Sequence, residues 1–401
     1  MRLRIGYIVD SYNERRNIIG ALPDAQYVNL GLQNLSLIRS KIRNRLRNML
    51  SSGVEQPIGD SNFVYNEGGR NKRVDVLHFF NTVSFGPTPW VTTFETIIPR
   101  FAQTRESHHG ASPDYQDLAG DTEVTEALRA LTAPQCLGLV TISECSLRMQ
   151  LDMLDLVPEL KAKVAGKLHV VKPPQRVLVT AEEKAPLFRE KKLRLLFVGS
   201  SFHRKGGVEL IEALKRFKAH HELELTIVSN VQLDNYARQE TTEDLAAARR
   251  MIQENRSWIT HHEQLPNEQV LALMGRAHIG LLPTWADTYG YSVLEFQASG
   301  CPVITTDVRA LPEINDASTG WLVPVPKNRL GEGIYSTPQG AARMQHAIEE
   351  GLGKALEQAF SDRAGLVERS RNAVERIRRD HSFERHAEQL RAIYDTARHV
   401  R

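Results

Sequence analysis

The sequence is poor in cysteine and has no long apolar run. Its 401 residues include three cysteines, Cys136, Cys145 and Cys301, none at the close spacing of zinc or redox sites. An odd number of cysteines argues against a disulfide framework, so we expect a protein of the reducing cytoplasm. No stretch approaches about 18 consecutive apolar residues, so we expect no membrane-spanning helix.

A large net charge is also missing. Lysine and arginine number 51 against 48 aspartate and glutamate, which leaves +3 and excludes a dedicated nucleic-acid binder. The sequence has no P-loop signature, no Gly-x-Ser-x-Gly elbow and no paired His or Cys at metal-ligand spacing. We therefore expect neither P-loop chemistry nor a metal site, and any basic site must be local.

With 41% hydrophobic and 25% charged residues, the chain has the composition of an ordinary globular protein long enough for two domains. The first apolar run spans about five residues and is broken by Asp10, which favours a strand over a signal peptide. The spacing of apolar residues in 35–50 predicts a basic helix with one apolar stripe. Two interpretations stay open for it: a helix on an anionic membrane surface, or one packed by its stripe on the first sheet.

Short apolar runs alternate with amphipathic ones along the whole chain. Predicted strands of the first half are 3–9, 73–80, 90–95, 137–142 and 168–171, with helices at 122–132 and 144–154. Several of these strands are near-continuously apolar, as in parallel sheets covered on both faces. The polar segment 103–121 is predicted to be a mobile surface loop.

The alternation restarts after a proline-containing connection at 172–192. Predicted strands of the second half are 193–199, 223–229, 257–260, 278–283 and 302–306, with helices between them. This predicts an α/β protein with two Rossmann-like, doubly wound parallel sheets, in domains 1–172 and 173–382, facing each other across a cleft.

Residues 283–307 carry the most informative pattern. A strand runs into a loop with Asp287 and Gly290, and the helix that follows carries Glu295 in its second turn. Both carboxylates can line one pocket at the carboxyl edge of the sheet, beside the helix-start amides of 289–292. Carboxylates for hydroxyls and amides for phosphates suit a sugar nucleotide, although a loop carboxylate before a helix is also a common N-cap.

A second pattern lies at 195–217, where a strand, a short loop and a helix follow one another. Arg204 and Lys205 end the loop, and Gly206 and Gly207 let the backbone approach a ligand at the helix start. A basic pair in this position is commonly solvated, but it is unfavourable against the helix dipole, which suggests a bound anion.

The passage 283–307 resembles the donor-site signature of retaining glycosyltransferases with the GT-B fold, the family 4 type, also called glycosyl transferases group 1. The matching residues are Asp287, Tyr289, Gly290, Tyr291, Glu295, Ser299, Gly300, Pro302 and Val303. Lys205-Gly206 also matches a family motif. The chain departs from the pattern at Asp287, where the family has Glu, and at Ser200, where it has Arg.

The resemblance implies transfer of a sugar, with retention, from a nucleoside-diphosphate sugar to a hydroxyl acceptor in glycan, polysaccharide or glycolipid biosynthesis. Asp287 would hold the sugar and Glu295 the ribose, while Tyr289, Gly290, Tyr291 and Ser292 would present amides to the diphosphate. Arg204 and Lys205 would bind the same diphosphate, so that neither a metal nor any other cofactor is needed. The last helix, about 383–401, would cross back onto the first domain.

In the first domain Glu95 ends a strand where relatives commonly have His. It would bind an acceptor hydroxyl or act as a base, unless it is merely solvated. His108 and His109, in the polar segment, are candidates for sugar or acceptor contacts. The acceptor would be a saccharide or a lipid-linked one, with the enzyme in the cytoplasm or at the inner face of the membrane.

Two alternatives remain from the sequence. A sugar-nucleotide epimerase would bind the same donor without an acceptor, and a non-catalytic sugar-nucleotide-binding protein would tolerate the departures at Asp287 and Ser200.

Overall fold

The computed structural model of the chain describes residues 2–31, 63–67, 69–108, 113–118, 120–234, 236–237 and 240–399. They divide into two compact units. The first comprises the described residues up to Pro174 together with those from Phe383 onward, and the second is Gln175–Ser382. The basic helix predicted at 35–50 lies outside the described residues.

The first unit contains a six-stranded parallel sheet. Its strands are β1 (Arg4–Tyr7), β2 (Gln26–Asn29), β4 (Val76–Phe80), β6 (Trp90–Phe94), β7 (Cys136–Thr141) and β8 (Leu168–Val170), and a separate parallel pair is formed by β3 (Val64–Tyr65) and β5 (Val83–Ser84). The order in the large sheet is β2-β1-β4-β6-β7-β8. Every residue of the central strands β4 and β6 is buried, which explains why their sequences lack polar alternation.

Six α-helices of the first unit lie within the described residues. They are α1 (Tyr12–Asn17), α2 (Ala102–His108), α3 (Thr122–Thr132), α4 (Glu144–Met153), α5 (Pro158–Ala165) and α14 (Phe383–Asp395). Helix α14 contributes Leu390, Ile393 and Tyr394 to the core around Ile5 and Val91. The last helix is therefore part of the core of the first unit.

The second unit is also built on a six-stranded parallel sheet. Its strands are β9 (Leu193–Val198), β10 (Leu223–Val228), β11 (Ile259–His262), β12 (Ile279–Leu282), β13 (Val303–Thr306) and β14 (Gly320–Val323). Their order is β11-β10-β9-β12-β13-β14. The chain leaves β9 towards β10 and β11, then returns to the other side of β9 with β12. The topological switch point, where such sheets bind ligands, thus lies between β9 and β12.

The α-helices of the second unit follow its strands closely. They are α6 (Ala181–Lys184), α7 (Gly207–Lys218), α8 (Thr242–Glu254), α9 (Asn267–Arg276), α10 (Tyr291–Ala298), α11 (Leu311–Ile314), α12 (Pro338–Ser361) and α13 (Arg363–Asp380). Helix α7 follows β9 and helix α10 follows β12. Both helix N-termini therefore lie at the switch point.

The predicted α/β class with two doubly wound parallel sheets is confirmed. The prediction of a mobile loop over 103–121 is wrong in part, because Ala102–His108 is helical and Thr104 is buried, with its hydroxyl bonded to the Pro99 and Phe101 carbonyls. The third strand of the second unit begins two residues later than predicted, at Ile259. Within the described part of the chain, no helix is both long and apolar enough to cross a membrane.

Candidate functional site

Two loops meet at the switch point of the second unit. The loop from β9 to α7 and the loop from β12 to α10 are joined by a bond from the Trp285 N–H to the Arg204 carbonyl, 2.8 Å long. Gly206, the N-cap of α7, has φ +82°, and a Cβ there would lie 2.0 Å from the Pro283 oxygen. Only glycine allows this close approach.

Lys205 and Asp287 form a buried ion pair between these loops. The Lys205 Nζ donates to Asp287 Oδ2 over 2.6 Å, and the two side chains are 8% and 15% exposed. The other oxygen, Asp287 Oδ1, accepts from the Thr288 N–H at 2.8 Å. The resemblance placed both residues at one donor site, and the structure brings them into direct contact.

Burial and pairing shift the pKa values of this pair in the same direction. Burial lowers the pKa of Lys205, and the Asp287 charge offsets that effect only in part. Burial on its own would raise the pKa of Asp287, but the charge of Lys205 and its hydrogen bond outweigh it, so that this pKa lies below its usual value. Asp287 is therefore ionised at neutral pH.

Arg204 is paired too. Its Nε donates to Asp234 Oδ2 at 2.6 Å, while its Nη2 and Nη1 make longer contacts, 3.3 Å to Ser201 Oγ and 3.4 Å to the Ala286 carbonyl. Asp234 and Asp287 thus compensate the charges of Arg204 and Lys205, which lie just before α7. The unfavourable position of these two cations relative to the helix dipole therefore does not require a bound anion, and it no longer supports that prediction.

The start of α10 faces the same switch point. Gly290 is its N-cap at φ +91°, with Tyr291 and Ser292 in the first turn. Tyr289 is 2% exposed, so its side chain belongs to the core and only its backbone is available to a ligand. Glu295 lies in the second turn and is largely buried at 9% exposed.

The first-unit candidates are placed less completely. Glu95 directly follows β6, as predicted, and its Oε1 lies 2.8 Å from Arg100 Nη1. The carboxylate is therefore paired, not simply solvated. His108 is the last residue of α2 instead of part of a loop, and its side chain is not described. His109 lies outside the described residues.

Three residues near Arg204 were not predicted as site residues. Asp234 holds its guanidinium, the Tyr236 ring lies 5.7 Å from it, and Arg309 donates to the Tyr236 hydroxyl at 2.7 Å. Asp234 and Tyr236 belong to a polar segment after β10 that matches no motif. Arg309 lies between β13 and α11, and its positive charge was the one weak signal that the sequence offered.

The described residues include no cluster of three or more His, Cys, Asp or Glu side chains that could hold a metal ion. The chemistry that the switch point itself can supply is that of two fixed cations, two helix N-termini and partly buried carboxylates. Such a set binds a diphosphate and positions hydroxyl groups.

The second unit is similar in sequence to a known protein family. Residues 179–351 match the family described as "Glycosyl transferases group 1". A glycogen synthase of Mycobacterium tuberculosis is 27% identical over 205 residues, which cover 51% of this chain and 42% of that protein. The matched region thus spans less than half of that curated relative.

Two solved structures show the same fold. Sucrose-phosphate synthase from Thermosynechococcus elongatus superposes with a TM-score of 0.59 at 15% identity, over 100% of both chains. The pneumococcal O-GlcNAc transferase GtfA, solved in complex with UDP and GlcNAc, has a TM-score of 0.52 at 14% identity, over 81% of this chain and 57% of that one.

These matches confirm the resemblance stated from residues 283–307, and they cover both sides of the switch point, since the matched segment contains Arg204, Lys205, Asp287 and Glu295. The chain has the GT-B fold, and its residues 179–351 are similar to the family of glycosyl transferases group 1.

Proposed function

We propose that this protein transfers a sugar from a nucleoside diphosphate to a hydroxyl acceptor, with retention of the anomeric configuration. The observation that carries the proposal is the meeting of Arg204 and Lys205 with Asp287 at the switch point, between the N-termini of α7 and α10. Crevices at switch points bind ligands, and helix N-termini beside fixed cations suit a diphosphate. The UDP in the structurally similar O-GlcNAc transferase also supports this donor class.

In the proposed reaction, the bond between the anomeric carbon and the diphosphate oxygen breaks. The acceptor oxygen forms the new bond on the same face of the sugar, and its proton passes to the departing diphosphate. Negative charge develops on the leaving oxygen, and Lys205 and Arg204 stabilise it as preorganised cations. The proposal therefore needs no metal and no cofactor beyond the nucleotide sugar.

Asp287 changes its partner in this scheme. When the diphosphate takes the Lys205 ammonium, the Asp287 carboxylate becomes available to accept hydrogen bonds from the sugar hydroxyls. Glu295 binds the ribose hydroxyls, and the amides of 289–292 meet the diphosphate. The shorter side chain of Asp287, compared with glutamate, restricts which donor sugars it reaches.

For the acceptor we propose a saccharide or a lipid-linked saccharide, consistent with a glycogen synthase among the relatives. Glu95, held by Arg100, accepts a hydrogen bond from the acceptor hydroxyl. A cytoplasmic location, with peripheral membrane contact through residues 35–50, belongs to the same proposal.

The experiment is a thermal-shift and calorimetric titration with UDP, GDP and ADP in the presence of EDTA. We expect at least one of them to raise the melting temperature, because a ligand of the folded state stabilises it by mass action. Lys205→Ala and Glu295→Ala should each weaken binding by about tenfold, or about 1.4 kcal/mol. Lys161→Ala, which removes an exposed lysine of the first unit, is the control.

Binding of none of the three nucleotides, or wild-type affinity in both site variants, would refute the proposed donor site. The nucleotide that binds then selects the donor sugars for transfer assays, with the anomeric configuration of the product read by NMR. Sugar epimerisation without an acceptor would favour the epimerase. Donor binding without turnover on a broad acceptor panel would favour the non-catalytic alternative.

A further inference from the structure

Asp234 and Tyr236, which follow β10, contact residues that follow two other strands of the second sheet. Asp234 contacts Arg204, which follows β9, whereas the Tyr236 hydroxyl accepts from Arg309, which follows β13. Strands β9 and β12 lie between β10 and β13, a span of about 14 Å at the usual strand spacing. The contacts of Asp234 and Tyr236 therefore reach residues on both sides of the switch point, where the diphosphate is proposed to bind.

Arg309 is a fixed anchor for this segment. Its side chain is 3% exposed, and its Nη2 lies 2.5 Å from Glu332 Oε1, also 3% exposed. The backbone of Arg309 has φ +46°, a left-handed conformation that a non-glycine residue adopts only when its surroundings hold it there. Its N–H donates to the Gly331 carbonyl at 2.8 Å. The ion pair and the backbone hydrogen bond together fix the position of the Arg309 guanidinium.

Tyr236 connects Arg309 to Arg204. Its N–H donates to Asp234 Oδ1 at 3.0 Å, and the other oxygen of Asp234 receives Arg204 Nε. The Tyr236 ring also lies 5.7 Å from the Arg204 guanidinium carbon, within the range of a cation–π contact. Glu332, Arg309, Tyr236 and Asp234 thus form a continuous series of contacts that ends on Arg204.

We infer that Tyr236 and Arg309 are positioning residues, which hold the Arg204 guanidinium in the orientation that the leaving diphosphate requires. The inference rests on the proposed function, because it assumes that Arg204 binds the diphosphate. Tyr236 is 43% exposed, so its hydroxyl contributes little to the packing of a buried core. Its contact with a buried arginine instead restricts the Asp234–Tyr236 segment and, through it, the Arg204 side chain. A restrained guanidinium loses less conformational freedom when it binds.

The test is a double-mutant cycle of Tyr236→Phe and Arg204→Ala, read by calorimetric titration with UDP, GDP and ADP. Tyr236→Phe keeps the ring and removes only the hydroxyl. It should weaken binding of the nucleotide that the wild type binds by about five- to tenfold, the usual effect of one hydrogen bond. In the Arg204→Ala background the same change should cost less than about twofold, because its effect passes through Arg204.

Tyr12→Phe, at a tyrosine of the first unit that is 56% exposed, is the matched control and should bind as the wild type does. Unchanged affinity in Tyr236→Phe, or an equal loss in the Arg204→Ala background, would overturn the inference. If Arg204→Ala weakens binding and Tyr236→Phe does not, only the positioning role fails. If Arg204→Ala and Lys205→Ala both bind as the wild type does, the proposed function fails as well.

Discussion

The Lys205 ammonium lies 2.6 Å from the Asp287 carboxylate, and this pair joins the loop after β9 to the loop after β12. The two residues are 82 positions apart and lie on opposite sides of the switch point. The pair neutralises two charges that neither loop could bury alone. In the proposed reaction, a diphosphate that takes Lys205 leaves Asp287 in need of a new partner, which would couple diphosphate binding to sugar binding.

Breaking this pair from one side should destabilise the second unit. Asp287→Asn leaves the buried Lys205 cation without its counter-charge, and we expect a loss of about 3 kcal/mol. Adding Lys205→Met should restore part of it, so that the double variant loses less than the sum of the single ones. Urea denaturation measures this. The exposed pair Lys161–Asp155 is the control, and comparable coupling there would contradict the expectation.

Gly206 should tolerate no side chain. Gly206→Ala places a methyl group 2.0 Å from the Pro283 oxygen in a left-handed backbone, so the two loops must separate. We expect a loss of about 2 kcal/mol or more in the free energy of unfolding, together with weaker nucleotide binding. Gly353→Ala is the matched control: it lies within α12 with nothing near its added methyl group, and should stabilise the helix by about 0.5–1 kcal/mol. A mild effect at Gly206 would show that the loops separate at little cost.

His278 should make stability depend on pH. Burial lowers its pKa to about 4, while its ring nitrogens are bonded to the Arg194 N–H and the Leu187 carbonyl. The unfolded chain takes up a proton below about pH 6.5 and the folded chain does not, so stability is complete above that pH and falls between 6.5 and 4, by about 3 kcal/mol. Urea midpoints across this range should fall less steeply in His278→Asn. His346→Asn, at an exposed histidine, should keep the wild-type slope. If the urea midpoint depended on pH equally steeply in His278→Asn and His346→Asn, His278 would not be the cause of that dependence.

The first unit should depend on α14 for its stability. Tyr394 Oη lies 2.5 Å from His78 Nδ1, and both side chains are buried beside Leu390 and Ile393. Tyr394→Phe leaves that ring nitrogen unpaired, and we expect a loss of about 1–3 kcal/mol in thermal or urea unfolding. Tyr12→Phe, on an exposed face, is expected to have no effect. Ending the chain at Ser382 should expose the core that α14 covers, seen as increased binding of a hydrophobic dye.

The strands and helices around the switch point could be predicted from the sequence because each is specified locally. Runs such as 193–199 and 278–283 are largely apolar, as is typical of buried parallel strands, and their alternation with helices along the chain indicates the α/β class. The short strands β2 and β14 were not predicted. Both are edge strands of four residues, which pair with β1 and β13.

The sequence by itself therefore determined the alternation of strands and helices, the two glycine-started helices and the residue types at the ends of β9 and β12. Tertiary structure alone decided the partners: Asp287 for Lys205, Asp234 for Arg204, and Arg309 for Tyr236. These contacts join loops that are distant in the chain, and the order of strands in the sheet, not local propensity, brings them within hydrogen-bonding distance.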